Sequence, residues 1–156
     1  MFTFETTRFG AIKIQDTDQI HLTKGLIGFK EEKEFVLVPS SKNALLAFLQ
    51  SLKTPDLAFV VINPYDFYSS YDFDLHDDDV ADLSIQAPED VIVLTLVVVP
   101  PELSKISTNL LAPIIINKHT RQGKQLVLKN STYQVKHYFL HDLNRVLKSR
   151  RQKSLD

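Results

Sequence analysis

The run from Val91 to Val99, Val-Ile-Val-Leu-Thr-Leu-Val-Val-Val, is interrupted by one polar residue, Thr95, and stopped by Pro100-Pro101. An unbroken row of mostly β-branched side chains favours a strand over a helix. Apolar residues at successive positions then require burial on both faces of that strand. Its nine residues are too few to cross a bilayer as a helix, which takes about 20.

The same signal recurs in shorter pieces. Phe2, Phe4, then Thr7-Arg8-Phe9, and Ile12 with Ile14 alternate with period two about Gly10, predicting two strands joined by a tight turn. Phe35 to Val38 stops at Pro39-Ser40-Ser41, and Ala58 to Ile62 follows Ala47 to Gln50 and is closed by Asn63-Pro64. Ala112 to Asn117 and Lys124 to Leu128 flank Lys-His-Thr-Arg-Gln-Gly, predicting a hairpin with Gly123 at the positive-φ position.

Helical spacing is confined to two places. Asp77-Asp78-Asp79 precede Val80, Ala81, Leu83 and Ile85, an acidic first turn that complements the helix dipole before Pro88 ends the element. Leu140, Leu143, Val146 and Leu147 recur among Arg145, Lys148, Arg150 and Arg151, an amphipathic helix with cations at its favourable C-terminal end. The expected fold is mainly β: a single small antiparallel β-barrel-like domain over residues 1–139 with one or two short helices, then a basic amphipathic helix or tail over 140–156.

At 156 residues, 44% hydrophobic, the chain is long enough for one domain with a sizeable core. It has no cysteine, which excludes disulfides, thiolate nucleophiles and cysteine zinc sites. The start, Met-Phe-Thr-Phe-Glu-Thr-Thr-Arg, shows no basic segment followed by an apolar one, so the cytoplasm is the expected location.

The net charge of −1 conceals two opposed regions. Between Thr54 and Ser104 there is no lysine or arginine, yet Asp56, Asp66, Asp72, Asp74, Asp77, Asp78, Asp79, Asp82, Glu89, Asp90 and Glu102 all fall there. From Lys105 to Lys153 the bases face only Asp142. If the fold keeps these stretches apart, their fields steer oppositely charged partners over about a Debye length, roughly 8 Å in the cell. Tyr65, Phe67, Tyr68, Tyr71 and Phe73 enter the acidic stretch. Tyrosine among aspartates is an interface composition, and equally one in which the phenylalanines fill the core and the tyrosines border it.

Motifs for chemistry are absent or incomplete. Asp77 to Asp79 lacks the alternating spacing and turn glycine of a calcium loop, and reads as a solvated helix start with His76 beside it. Gly25-Leu-Ile-Gly28 lacks the remaining glycine and lysine of a phosphate loop. His21, His119, His137 and His141 have no zinc-ligand spacing, and no Gly-x-Ser-x-Gly elbow is present. No catalytic residue, cofactor or metal is expected.

An ordered set of short motifs resembles the flagellar assembly factor family FliW: Thr7-Arg8-Phe9-Gly10, Gly25-Leu-Ile-Gly28-Phe29, Leu49-Gln50-Ser51-Leu52 leading to Pro55-Asp56-Leu57-Ala58-Phe59-Val-Val61, Pro88-Glu89-Asp90-Val91, Asn109-Leu-Leu-Ala-Pro113-Ile-Ile-Ile-Asn117 and Gly123-Lys124-Gln125-Leu126-Val127-Leu128. The order holds from about Thr7 to Tyr133. The resemblance implies a small cytoplasmic β-barrel-like protein without catalysis, monomeric when free, that binds flagellin. When flagellin is exported it binds the translational repressor CsrA instead, relieving repression of flagellin messenger RNA. Direct contact with nucleic acid or membrane is not implied.

The charge pattern suits that role, and the expected partner-binding residues are Asp72, Asp74, Asp77, Asp78, Asp79, Asp82, Tyr68 and Tyr71. The competing expectation is a nucleic-acid-binding β-barrel using the basic stretch from Lys105 to Lys153. The family pattern closes soon after a strand around Asn130-Ser-Thr-Tyr133, whereas this chain continues into the Leu140 to Lys153 helix.

Overall fold

The computed structural model describes residues 1–129 and 131–155. Strands β1 (Phe2–Thr6) and β2 (Gly10–Ile14) form a separate hairpin, as the alternation about Gly10 predicts. Its turn has Gly10 at φ 66°, with the Thr6 hydroxyl donating to the Gly10 carbonyl at 2.9 Å. The remaining strands are β3 (Gln19–Leu22), β4 (Glu34–Pro39), β5 (Leu46–Ser51), β6 (Ala58–Ile62), β7 (Val91–Val98), β8 (Ser107–Thr108), β9 (Ile114–Asn117), β10 (Gln122–Gln125) and β11 (His137–Tyr138). Two α-helices complete the chain, α1 (Asp77–Asp82) and α2 (Leu140–Leu155).

Strands β3, β4, β5, β6, β7, β9 and β10 close into a barrel. Each step from β3 round to β10 is antiparallel, and β10 then pairs with β3 in parallel, Gln122 beside His21 and Gly123 beside Leu22. The expected antiparallel barrel is present, and its single parallel pairing follows from parity. A ring of seven strands cannot alternate direction all the way round, so one seam must be parallel. Strand β7 pairs with β6, β8 and β9 and faces apolar residues on both sides, as its sequence predicted. Leu94 and Leu96 point into the barrel with Ile20, Leu22, Phe35, Leu49, Val61, Ile114 and Ile116, while Val93 and Val97 point outward into a second cluster with Ile62, Ile115, Phe67, Tyr71, Leu83 and Phe139. Val93, Leu94, Thr95 and Val97 are buried, Val91, Ile92 and Leu96 are half-buried, and the far end emerges, with Val98 57% exposed.

Gly123 is needed, but not for the reason the hairpin suggested. The left-handed residue of that turn is Arg121, φ 63°. A Cβ on Gly123 would lie 2.6 Å from the Ile115 carbonyl oxygen and 2.8 Å from the Ile116 side chain, so glycine there permits the seam to close. Gly25 and Gly28, at φ 65° and 85°, make a tight turn after β3.

Three short elements, β3, β8 and β11, carry too few residues to stand out by alternation. Lys124 to Leu128 holds its strand only to Gln125, after which Leu126 and Leu128 donate to the Pro113 and Leu111 carbonyls. Of the strand expected around Asn130 to Tyr133, Asn130 lies outside the described residues and Ser131 to Tyr133 form none.

Candidate partner-binding face

Between β6 and β7 the chain leaves the barrel at Asn63 and returns at Val91 without adding a strand. This excursion carries all the expected site residues. Pro64 begins a short turn capped by the Asn63 side chain, which accepts from the Tyr65 amide at 3.0 Å. Phe67 follows into the outer core, stacked on Phe139 with ring centroids 4.8 Å apart. From Tyr71 to His76 the chain is extended and alternates, with Tyr71, Phe73 and Leu75 turned toward the core and Asp72, Asp74 and His76 exposed. Extended backbone forces this two-residue period, so the acidic side is a consequence of the sequence order Asp-Phe-Asp-Leu.

Helix α1 then presents Asp77 and Asp78 to solvent on its first turn. It is shorter than the sequence predicted. Ser84 adopts φ 53°, which breaks the helix well before Pro88, and the buried Asn117 amide donates to the carbonyls of Leu83 at 2.8 Å and Ser84 at 3.3 Å. A tertiary hydrogen bond stops the helix here.

The structure divides the expected residues into two groups. Asp72, Asp74, Asp77 and Asp78 are exposed, and among the described residues no cation pairs with them. Asp79 and Asp82, one helical turn apart, both grip the ammonium of Lys124, Asp82 at 3.1 Å. Lys124 is 7% exposed. Burial of its ammonium alone would lower its pKa, but the hydrogen bonds to Asp79 and Asp82 and their charges outweigh that and raise it above the ordinary lysine value. These two carboxylates therefore tie the excursion to β10.

Tyr71, expected as a surface anchor, is 2% exposed and donates its hydroxyl to the Leu110 carbonyl at 2.6 Å. Burial, then its neighbours Tyr65 and Tyr133, push its pKa well up. Tyr68 is half-buried, its ring meeting those of Tyr71, Tyr133 and His137.

Sequence reasoning placed Tyr65 in the aromatic run but left it out of the expected partner-binding residues. It is 42% exposed and close enough to Asp72 that, after burial, the carboxylate raises its pKa. Sequence reasoning missed a groove of about 550 Å³ beside the carboxylates. Phe73, Leu75, Val80, Ile85, Val91 and Val93 supply its apolar lining, with Tyr65, Asp72 and Asp74 also on it. The alternation from Asp72 to Leu75 was the available signal.

Part of the basic stretch, by contrast, is engaged within the fold. Lys124 is turned inward, Arg150 lies 3.6 Å from Asp66, Arg145 pairs with Asp142, and Arg121 donates to the Asp18 carbonyl. Among the described residues no three histidine, aspartate or glutamate side chains are grouped to hold a metal ion. No described helix is long and apolar enough to cross a membrane.

The FliW protein family matches residues 3–139 of the chain. The flagellar assembly factor FliW of Ruminiclostridium cellulolyticum is 37% identical over 142 residues, covering 90% of this chain and 96% of the relative. That of Bacillus subtilis is 38% identical over 132 residues, covering 85% and 92%. A solved structure described as the crystal structure of the flagellar assembly factor FliW superposes with a TM-score of 0.81 at 36% identity, covering 88% of this chain and 96% of that one.

Proposed function

This chain belongs to the FliW family of flagellar assembly factors, and from that premise we propose that it is a cytoplasmic, non-enzymatic regulator with two alternating protein partners. It holds flagellin while flagellin accumulates. Once flagellin is exported, it binds the repressor CsrA and lifts the block on flagellin messenger RNA, so that synthesis follows export.

The observation that carries this reading is the outward row Asp72, Asp74, Asp77 and Asp78, unpaired among the described residues, beside an apolar groove. A protein that grips RNA offers cations, which such a row attracts. Once docked, the same row repels the phosphates of the RNA, and the repulsion reaches about a Debye length. The engagement of Lys124 and Arg150 within the fold weighs against the nucleic-acid-binding alternative.

The decisive experiment is charge reversal at Asp72, Asp74 and Asp78 to lysine. These side chains are exposed, so stability should stay within about 0.5 kcal/mol. Capture of purified CsrA should weaken at least tenfold, and the residual affinity should lose its dependence on salt. Undiminished capture would sink the acidic-face mechanism. Purification from cells with and without flagellin should show the bound species changing from flagellin to CsrA; an unchanged partner refutes the alternation.

A further inference from the structure

The apolar cluster on the outside of the barrel extends beyond the cover laid over it. One flank lies under α2, where Leu143 is buried and Leu140, Val146 and Leu147 pack on the same cluster as Phe67 and Phe139. Further along that helix Arg150 reaches Asp66. The cluster thus already accepts a helix with apolar residues at helical spacing and a cation set over an aspartate. The other flank, around Phe73, Ile85 and Val93, is the open groove, with Asp72 and Asp74 on it and no lysine or arginine among its lining residues.

We propose that this groove receives a cationic amphipathic helix from a partner protein, its apolar side chains seated on Phe73, Ile85 and Val93 and its lysines or arginines over Asp72 and Asp74. The assignment rests on the reading of this face as a partner-binding surface, and names the segment that would enter it. Charge complementarity selects the cation, since a groove with two uncompensated carboxylates disfavours an acidic or purely apolar occupant. Packing selects the helix. The β7 residues that line the groove, Val91 and Val93, are already paired with Asn117 and Ile115 of β9, which disfavours an added strand there. A helix brings its backbone hydrogen bonds with it and inserts residues spaced i, i+3, i+4 and i+7. Helix α2 lies beyond the residues that match the family, yet it shows how such a helix sits on this cluster.

Two synthetic helices of about 15 residues test this, long enough to hold helical structure when bound. Both carry leucines at helical spacing, one with lysines and the other with glutamates at the remaining positions. Fluorescence anisotropy with the full chain should show binding of the lysine peptide that weakens steeply with salt, and none of the glutamate peptide. Reversing Asp72 and Asp74 to lysine should cost at least tenfold in affinity. Gln86→Trp, a substitution of an exposed residue that fills the groove without changing its charge, should cost as much.

Binding of the lysine peptide that neither variant alters overturns the proposal. So does tighter binding of an extended peptide of alternating valine and lysine. Self-association of the protein in sedimentation, relieved by Gln86→Trp, would mean that a second copy fills the groove, and overturns it too. Capture of purified CsrA and flagellin by the unmodified protein is scored separately. Capture of neither removes the partner-switching reading, whereas the peptide titration alone decides the groove.

Discussion

The barrel and the excursion that crosses its outer face are held by different means. In the barrel every strand is secured by backbone ladders on both sides, and the side chains need only fill the interior. The excursion from Asn63 to Asp90 contributes no strand. Besides burying Phe67, Tyr71 and Leu83, it is fastened by separate side-chain attachments: the Tyr71 hydroxyl on Leu110, the Asn117 amide on Leu83 and Ser84, Lys124 between Asp79 and Asp82, the Tyr133 hydroxyl accepting from the Asp72 amide, and the pairs Arg150–Asp66 and His119–Asp90. Ladders share a load over many equivalent bonds, so a single substitution rarely undoes them unless it breaks closure. Point attachments concentrate the load. A surface meant to meet partners can therefore be tuned by a few residues without disturbing the frame beneath it.

The sharpest way to break this contrast is to attack the frame at its one crowded point. Gly123→Val places carbon against the Ile115 carbonyl and the Leu22 side chain at the parallel seam. A loss of about 3 kcal/mol or more is expected, read as a large fall in the thermal midpoint. Retention of the native midpoint would show that the seam is looser than the contacts imply.

Next in size is the lysine attachment. Lys124→Met leaves Asp79, 16% exposed, without its partner, and should cost about 2 kcal/mol in denaturant melts at neutral pH. That is less than a fully buried pair because Asp82 is 58% exposed. The Lys124 pKa is raised in the folded state, so its contribution is complete below the unfolded value of about 10.5 and is lost as pH rises through the folded value. The deficit of the variant should accordingly shrink in alkali. A deficit independent of pH would assign the effect to packing alone.

Tyr71→Phe removes one hydrogen bond and leaves the Leu110 carbonyl unpaired, a cost of about 1 kcal/mol. The wild-type phenol resists ionisation when folded, so wild-type stability should fall as pH rises above about 10, where the unfolded tyrosine ionises. The phenylalanine variant should lack that part of the alkaline slope. Arg150→Ala should matter least, about 0.5 kcal/mol or below, since the arginine is 52% exposed and its pair with Asp66 is solvated. A larger loss would make α2 a structural clamp comparable to Lys124.

Much of the frame was readable from residues. Strands β1, β2, β4, β5, β6, β7 and β9 lie where alternation or β-branched runs put them, because a strand needs only local pattern. A barrel was expected from the many short strands, but its parallel seam was not readable, since the number of strands in a ring is not a local property. Tyr71 and Phe73 show the same limit at the site. Both are aromatic residues flanked by aspartate, and only the fold buries the tyrosine under Leu110 while leaving the phenylalanine on the groove.

By itself the sequence determined that β7 would present apolar residues on both faces and that carboxylates would crowd one stretch, for hydrophobicity and charge are carried by each residue wherever it goes. Tertiary structure alone decided which carboxylates remain free. Lys124, 45 and 42 positions from Asp79 and Asp82 in the chain, neutralises those two because the β9–β10 hairpin brings it beneath α1, whereas Asp72 and Asp74 meet no cation among the described residues and stay open to a partner. Coulomb energy depends on distance in space, and only the folded chain sets that distance.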